Sequence, residues 1–568
     1  MRFMSILAIA LALVSTAQAQ ADFEKLYRDP QAVRARLLEL GLGAMAQSVV
    51  VGVTDEGHEI IALEIGRPHD QAAAPVPDDA AGLVRRDWGR KPALLVVAGL
   101  EGHRLVGTEV LLRLAENLLA LDAAGLDQRL AGRRIYLVPC ANPNAAIRNL
   151  HGRPHREMIG NGRLQDLDRD GRRGAGEATE DLDGDGMILS MRVVDPKGDL
   201  VADAEDPRTL RTADPKKNER GRYLVHPEST DGDGDGRYGE EPGDGVRIDR
   251  NFPHGFREHD QASGRYATSE PESRALLDYI LARPEIEAVL VYGGHDTFVK
   301  LPEAAKDEGD RRSRKPAMKL HPDDKAHYEA VTKLRQEEIL PRIEGVEDEA
   351  GSLHAWAYYQ FGRLGLAANL FQARAPAKAG PKDDDADQAA KLQDPVVAEM
   401  EAAWTTGFAE WTAFDHAQLG RVELGGWRPL VRTNPQEASS LVLLASQEEQ
   451  FLFKILDQFA VVEVEDPVVK VLAPGLFEVR LTVRNTGGLP TALAQGLRNR
   501  QADPVLVRVD IARDAILQGD PLPRIDNLPA RIGEERFRWV LRAKGGTRLA
   551  IDVAPPRRHA LRKEITLP

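Results

Sequence analysis

The sequence predicts an α/β protein: a mostly parallel sheet covered by helices, interrupted by an acidic insert and followed by a small β-sandwich. Three observations carry this. Apolar runs such as ALLVVAGL (93–100) and EAVLVYGG (287–294) alternate with amphipathic stretches such as VGTEVLLRLAENLLAL (106–121). Strands apolar at nearly every position belong in sheets covered on both faces. Between 152 and 246 the periodicity gives way to Asp and Gly, and from about 470 short runs alternate instead. There Phe477, Val479, Leu481 and Val483 interleave with Glu478, Arg480, Thr482 and Arg484, as in a half-exposed strand.

Each element follows from local pattern. The first twenty residues, MRFMSILAIALALVSTAQAQ, set Arg2 before an apolar run and Ala17-Gln18-Ala19 after it. That is the pattern of a signal peptide spanning 1–19, so the expectation is an exported protein, periplasmic or secreted. The apolar run is too short to span a membrane comfortably, and the mature chain is expected to have no span. A short helix near RARLLELGL and two strands, QSVVVGV and EIIALEIG, come next. In the helix from 106, Val110, Leu111, Leu114 and Leu118 form one stripe at helical spacing. RRIYLVPCA is a strand, SEPESRALLDYI a helix capped near Ser269, and 286–292 a buried strand. LHAWAYYQFG and LGLAANLF read as helix then strand, 373–393 as a low-complexity loop, and 399–414 as a helix. With 568 residues more than one core is expected. The divisions are 20–417 for the α/β domain, 418–469 for a connecting segment and 470–568 for the sandwich. The charge balance, 75 minus 89 or −14, disfavours nucleic acid as a partner. Cys140 is the sole cysteine, so no intrachain disulfide forms, and its place at a strand end reads as a buried small residue.

The insert carries metal-binding spacing. Asp166, Asp168, Asp170, Gly171 and Glu177 follow Asp-x-Asp-x-Asp-Gly-x5-Glu, which supplies hard oxygens at alternate positions with a late bidentate acid. Two partial copies follow: Asp181, Asp183 and Asp185, with Arg192 where the late acid belongs, and Asp231, Asp233 and Asp235, with Pro242 there. The expected cofactor is Ca²⁺, ordering an insert that has no core of its own.

In its motif order the chain resembles the zinc carboxypeptidases, the carboxypeptidase A-like metallopeptidases, over roughly 45–415. The motifs are GTEVLLRLAENLL after a Gly-rich turn, CANPN at 140–144, RIDRNFPHGF at 247–256, SEPESRALLDYI at 269–280, EAVLVYGGHD, and GSLHAWAYYQFG at 351–362. The resemblance implies a mixed eight-stranded sheet with the site at its carboxyl strand ends. It also implies Zn²⁺ held by a His-x-x-Glu turn and a distant His, a Glu general base, and removal of a C-terminal residue from a peptide.

At the matching positions this chain differs. Glu101 stands at the first ligand His, Arg104 at the ligand Glu, Gly293 at the third ligand, and Asn369 at the general base. Asp249 and Arg250 stand for the pair that binds the substrate carboxylate, leaving only the Arg. A guanidinium cannot donate an electron pair to a metal. The leading expectation is a carboxypeptidase-fold protein without family hydrolysis that binds a peptide, or a cell-wall-derived peptide, through Arg250. Arg192 is a second substrate candidate by chain order. A Glu101–Arg104 salt bridge replacing the metal is part of this reading. A second reading keeps an active metallocarboxypeptidase with displaced zinc ligands Glu101, His103 and His295, with Asp296 nearby. A third is a structural or partner-docking protein acting through the sandwich.

Overall fold

Strands that are apolar at every position have to be buried on both faces, and that requirement organises the centre of the molecule. The computed structural model describes residues 25–68, 90–163, 179–232, 234, 236–239, 244–306, 316–339, 343, 345–346, 348–376, 394–556 and 560–568. The signal-peptide segment, the calcium loop Asp166–Glu177, Asp233 and Asp235 lie outside the described residues.

The chain begins with α1 (Pro30–Leu40), β1 (Ala46–Val53), β2 (Glu59–Ile65), β3 (Ala93–Ala98), α2 (Val106–Leu119), α3 (Ala123–Leu130), β4 (Arg134–Val138) and α4 (Pro143–His151). The insert contributes β5 (Ser190–Val194), β6 (Leu200–Ala202), β7 (Leu210–Thr212) and β8 (Tyr223–Pro227). Then come α5 (Pro271–Leu281), β9 (Ile286–Tyr292), α6 (Lys325–Glu338), α7 (Leu353–Tyr359), β10 (Leu364–Ala368), α8 (Pro395–Thr406), β11 (Phe408–His416), β12 (Gly420–Trp427) and α9 (Ala438–Gln458).

The central sheet runs β1-β2-β4-β3-β9-β10. β1, β2 and β4 pair antiparallel, whereas β4, β3, β9 and β10 are parallel. Along β3 the pleat sends Leu94, Val96 and Ala98 into one core and Ala93, Leu95 and Val97 into the other. The parallel register aligns the strand ends: Ala98 and Ala368 both lie opposite Tyr292. The residues leaving β3, β9 and β10 therefore emerge side by side.

Four expectations are corrected. The central sheet has six strands among the described residues, not eight. β11 and β12 pair instead with the insert, in the antiparallel order β11-β12-β5-β8-β6-β7. β11 alternates half-buried and exposed positions over most of its length, which suits a one-sided sheet and not the middle of a parallel one. The insert is consequently not coreless: Met191 and Val193 pack with Val422 and Leu424. The helix expected over 399–414 stops at Thr406, where β-branched Thr405 and Thr406 precede Gly407, and Phe408–His416 is strand. The expected connector 418–469 holds β12 and the 21-residue α9, whose Leu441, Leu444, Phe451, Leu452 and Ile455 belong to the main core.

The C-terminal part contains β13 (Val462–Val464), β14 (Val468–Ala473), β15 (Leu476–Asn485), α10 (Ala494–Arg498), β16 (Val505–Asp510), β17 (Ile516–Gln518), β18 (Arg524–Ile525), β19 (Gly533–Arg542), β20 (Arg548–Ala554) and β21 (Leu561–Thr566). They form two antiparallel sheets whose inward side chains, among them Val479, Leu481, Val507 and Ile551, make one core. This unit is fastened to the α/β part through α10. Buried Asp324 accepts hydrogen bonds from the Ala494 and Gln495 amides at 2.8 and 3.0 Å. Gln495 and Asn499 donate to the Tyr359 carbonyl at the end of α7.

Candidate functional site

Because β3, β9 and β10 are parallel and adjacent, their carboxyl ends deliver Glu101 and Arg104, Gly293, and Asn369 to one place. The turn after β3 opens at Gly99, which takes φ +69°, and runs into α2. No side chain of the turn caps that helix. The cap comes from far along the chain. Asn434 Oδ1 accepts from the Leu105 and Val106 amides at 2.7 and 3.0 Å, and its Nδ2 donates to the His103 carbonyl at 2.7 Å.

Arg104 fills the centre. Its Nε lies 3.0 Å from Glu101 Oε2. The N–H is out of line with the carboxylate, so the contact is an ion pair without a hydrogen bond. Nη1 donates to Asn369 Oδ1 at 3.0 Å and Nη2 to Gln372 Oε1 at 3.4 Å. Burial pushes the Glu101 carboxyl up, but Arg104, His103, His295 and the Gly294 amide outweigh it, and the group stays below its ordinary value. The glycines at the end of β9 face the same carboxylate. A Cβ on Gly294 would stand 2.9 Å from Glu101 Oε2, and one on Gly293 3.6 Å from the same atom.

Zinc does not fit the family positions. Arg104 offers no lone pair, Gly293 offers no side chain, and the single remaining donor, Glu101, faces a permanent cation. Asn369, where the resemblance implies the general base, lacks a carboxylate and is held as Arg104's acceptor. The displaced set is not assembled either. Donor atoms of Glu101, His103 and His295 do not gather within 4.8 Å of one another. His103 faces Glu157 at 3.8 Å, while His295 Nδ1 binds the Val346 carbonyl at 2.9 Å. Burial lowers the His103 imidazole despite Glu157 and Glu101. Asp296 is committed to the Phe298, Val299 and Asn369 amides.

Arg250 lies at the edge of the same region, a quarter exposed, with Asp260 and Asp348 at 3.6 and 3.8 Å. Asp249 Oδ1 accepts from the Leu353 amide at the start of α7. Arg192 is not a substrate residue: it stacks over Trp411 and bonds Glu423 across β5 and β12 at 2.7 Å. Tyr358 is scaffold, its hydroxyl donating to Asp324. Cys140 is buried, and burial pushes its thiol up to about 12, which removes it as a nucleophile.

In the insert, Asp181, Asp183 and Glu228 bring one oxygen each within 4.8 Å of one another, alone among the described residues. Gly184 and Gly186 take φ +74° and +87°, and their amides turn onto Asp181 at 2.8 and 2.9 Å. Gly234 and Gly236 repeat this on Asp231. Burial raises Glu228 to about 7 and Asp185 to about 6. Spacing alone missed Glu228, which comes from the end of β8 and stands where Arg192 failed to supply an acid. Sequence reasoning also missed Asn434 and Gln372; the only local signal is that Gln372 follows Asn369 in the ANLFQ strand end.

A parallel run of strands with this turn and helix at its carboxyl ends defines an α/β protein whose candidate site lies at those strand ends. Residues 42–146 match the family model described as zinc carboxypeptidase. Residues 461–566 match a domain of unknown function (DUF8731). Similar solved structures include bovine thrombin-activatable fibrinolysis inhibitor in complex with tick carboxypeptidase inhibitor, at 10% identity and TM-score 0.33, covering 76% of this chain and 96% of that one. Carboxypeptidase A from Helicoverpa armigera gives 13% and 0.34, covering 66% and 73%. The metallo-carboxypeptidase from Burkholderia cenocepacia gives 14% and 0.31, covering 59% and 57%. No curated protein matches the chain. No helix among the described residues is long and apolar enough to cross a membrane.

Proposed function

We propose that this chain is an exported zinc-carboxypeptidase-family protein that has exchanged the family's metal centre for an ion pair and binds a peptide carboxylate without cleaving it. The observation that carries the reading is Arg104, in contact with Glu101 and Asn369 where the family needs an electron-pair donor and a general base. With neither, no water is activated. The quarter-exposed Arg250, whose ion contacts are both longer than 3.5 Å, is the group a ligand carboxylate engages. Export rests on the first nineteen residues. Ca²⁺ held by Asp181, Asp183 and Glu228, and by the Asp166–Glu177 loop, orders the insert, and the C-terminal sandwich braces α7.

The test is a carboxypeptidase assay with and without Zn²⁺, on the natural chain and on a variant carrying Glu101→His, Arg104→Glu, Gly293→His and Asn369→Glu. The natural chain is expected to release no C-terminal residue while a short peptide binds in an Arg250-dependent way. Zinc-dependent release by the natural chain would overturn the reading.

A further inference from the structure

The three nitrogens of Arg104 are committed to Asn369, Gln372 and Glu101. A second guanidinium stands beside it with no such commitment. Arg432 comes from the segment joining β12 to α9, and its backbone is clamped on both sides. Its carbonyl accepts from the Ala373 amide at 2.8 Å, one residue beyond Gln372. The two residues after it grip the turn that carries Arg104: Thr433 Oγ1 and Asn434 Nδ2 donate to the His103 carbonyl at 3.3 and 2.7 Å. The guanidinium lies over Trp427, 5.4 Å from the ring centroid, and Trp427 is itself packed against Trp404 and Phe408. Stacking of this kind holds the planar fork in place and leaves its N–H edges open. Among the described residues, no acceptor hydrogen-bonds that side chain and no carboxylate lies within ion-pair distance of it.

The charge around Arg432 is not matched by a contact. The residue is exposed, yet the protein about it still desolvates the guanidinium. That burial lowers it from its ordinary value against the pull of Glu157, and the charge of Arg104 lowers it further. Glu157 is engaged elsewhere: one oxygen faces His103 Nε2 at 3.8 Å and the other accepts from the Leu430 amide at 3.4 Å. Glu101 is held by Arg104. A preorganised fork with free N–H groups, set beside a second cation, suits bidentate capture of a carboxylate. Arg250 reaches the edge of the same region from the turn at Ile248–Arg250. We propose that Arg432 is a second carboxylate receptor, so that the peptide bound here carries Asp or Glu at its last or next-to-last position. This rests on the reading that Arg250 takes the terminal carboxylate.

The test measures binding of N-terminally labelled tetrapeptides to the full chain by fluorescence anisotropy, with Ca²⁺ held constant. Ala-Ala-Ala-Glu and Ala-Ala-Glu-Ala are compared with the same peptides carrying Gln, which keeps the shape and removes the charge. At least one Glu peptide should bind about tenfold tighter than its Gln counterpart, the effect of a charge-assisted hydrogen bond at a partly open site. Arg432→Gln should erase that difference, whereas Arg250→Gln should weaken all four peptides. Equal binding of Glu and Gln peptides, or a preference that survives Arg432→Gln, overturns the inference, while Arg250-dependent binding leaves the proposed function standing. Failure of all four peptides to bind, or binding indifferent to Arg250→Gln, overturns the proposed function and the inference with it.

Discussion

Replacing Arg104 by Met keeps most of the side-chain volume and removes the charge. The side chains of Arg104 and Glu101 are 11% and 20% exposed, so the abandoned carboxylate remains largely out of water. Breaking a buried pair from one side costs about 3–5 kcal/mol, and partial exposure moves the expectation to the lower end. Asn369 and Gln372 also lose their donor, adding about 1 kcal/mol. Arg104→Met should therefore lose about 4 kcal/mol at pH 7, and Glu101→Leu with Arg104→Met should recover most of it, because an apolar pair replaces a buried ion pair at little cost. The pH dependence is specific. Glu101 is held below its unfolded value of about 4.3, so the pair's contribution is present above that pH and is lost as pH falls through the folded value. In the variant the lone buried carboxyl is raised instead, and its penalty disappears on acidification. The deficit should shrink from pH 7 toward pH 4. Equilibrium urea unfolding at several pH values, with calcium fixed, measures this. A variant as stable as the natural chain at pH 7, or a deficit that grows on acidification, refutes the electrostatic account.

Other outcomes follow from the same geometry. Asn434→Ala removes the cap of α2 and orphans the Leu105 and Val106 amides, and should cost about 2–4 kcal/mol in unfolding experiments. Burial raises Glu228 to about 7 and Asp185 to about 6, so without calcium these groups weaken the fold as pH rises from about 4 toward 7. Added Ca²⁺ should then raise Tm more at pH 7.5 than at pH 5, and Glu228→Gln should reduce the rise. Gly362 has φ +72° and its Cβ would lie 2.5 Å from Gly496 Cα, so Gly362→Ala should loosen α10 from α7 and increase protease cleavage near 494–501.

The central strands were legible because their burial on both faces is written as unbroken apolar sequence, and the turn at 99–107 because its glycines and helix follow directly. The meeting of Glu101, Arg104, Gly293 and Asn369 followed from the family motif order, and parallel pairing of β3, β9 and β10 explains it physically. What spacing could not show is side-chain supply from distant segments. Asn434 caps a helix more than three hundred residues earlier, and Glu228 completes a loop whose own late position is Arg192. Nor could it show that Phe408–His416, within a stretch read as helix, would form a strand and pair with β12 on the insert's sheet.

Anomalous diffraction at the zinc absorption edge, from crystals equilibrated with Zn²⁺, tests the proposed exchange of the metal centre most directly because it locates the ion. The account predicts no zinc peak among Glu101, Arg104 and Gly293, with the guanidinium still against Glu101 and Asn369. A peak at those residues, with Arg104 turned away, would contradict it.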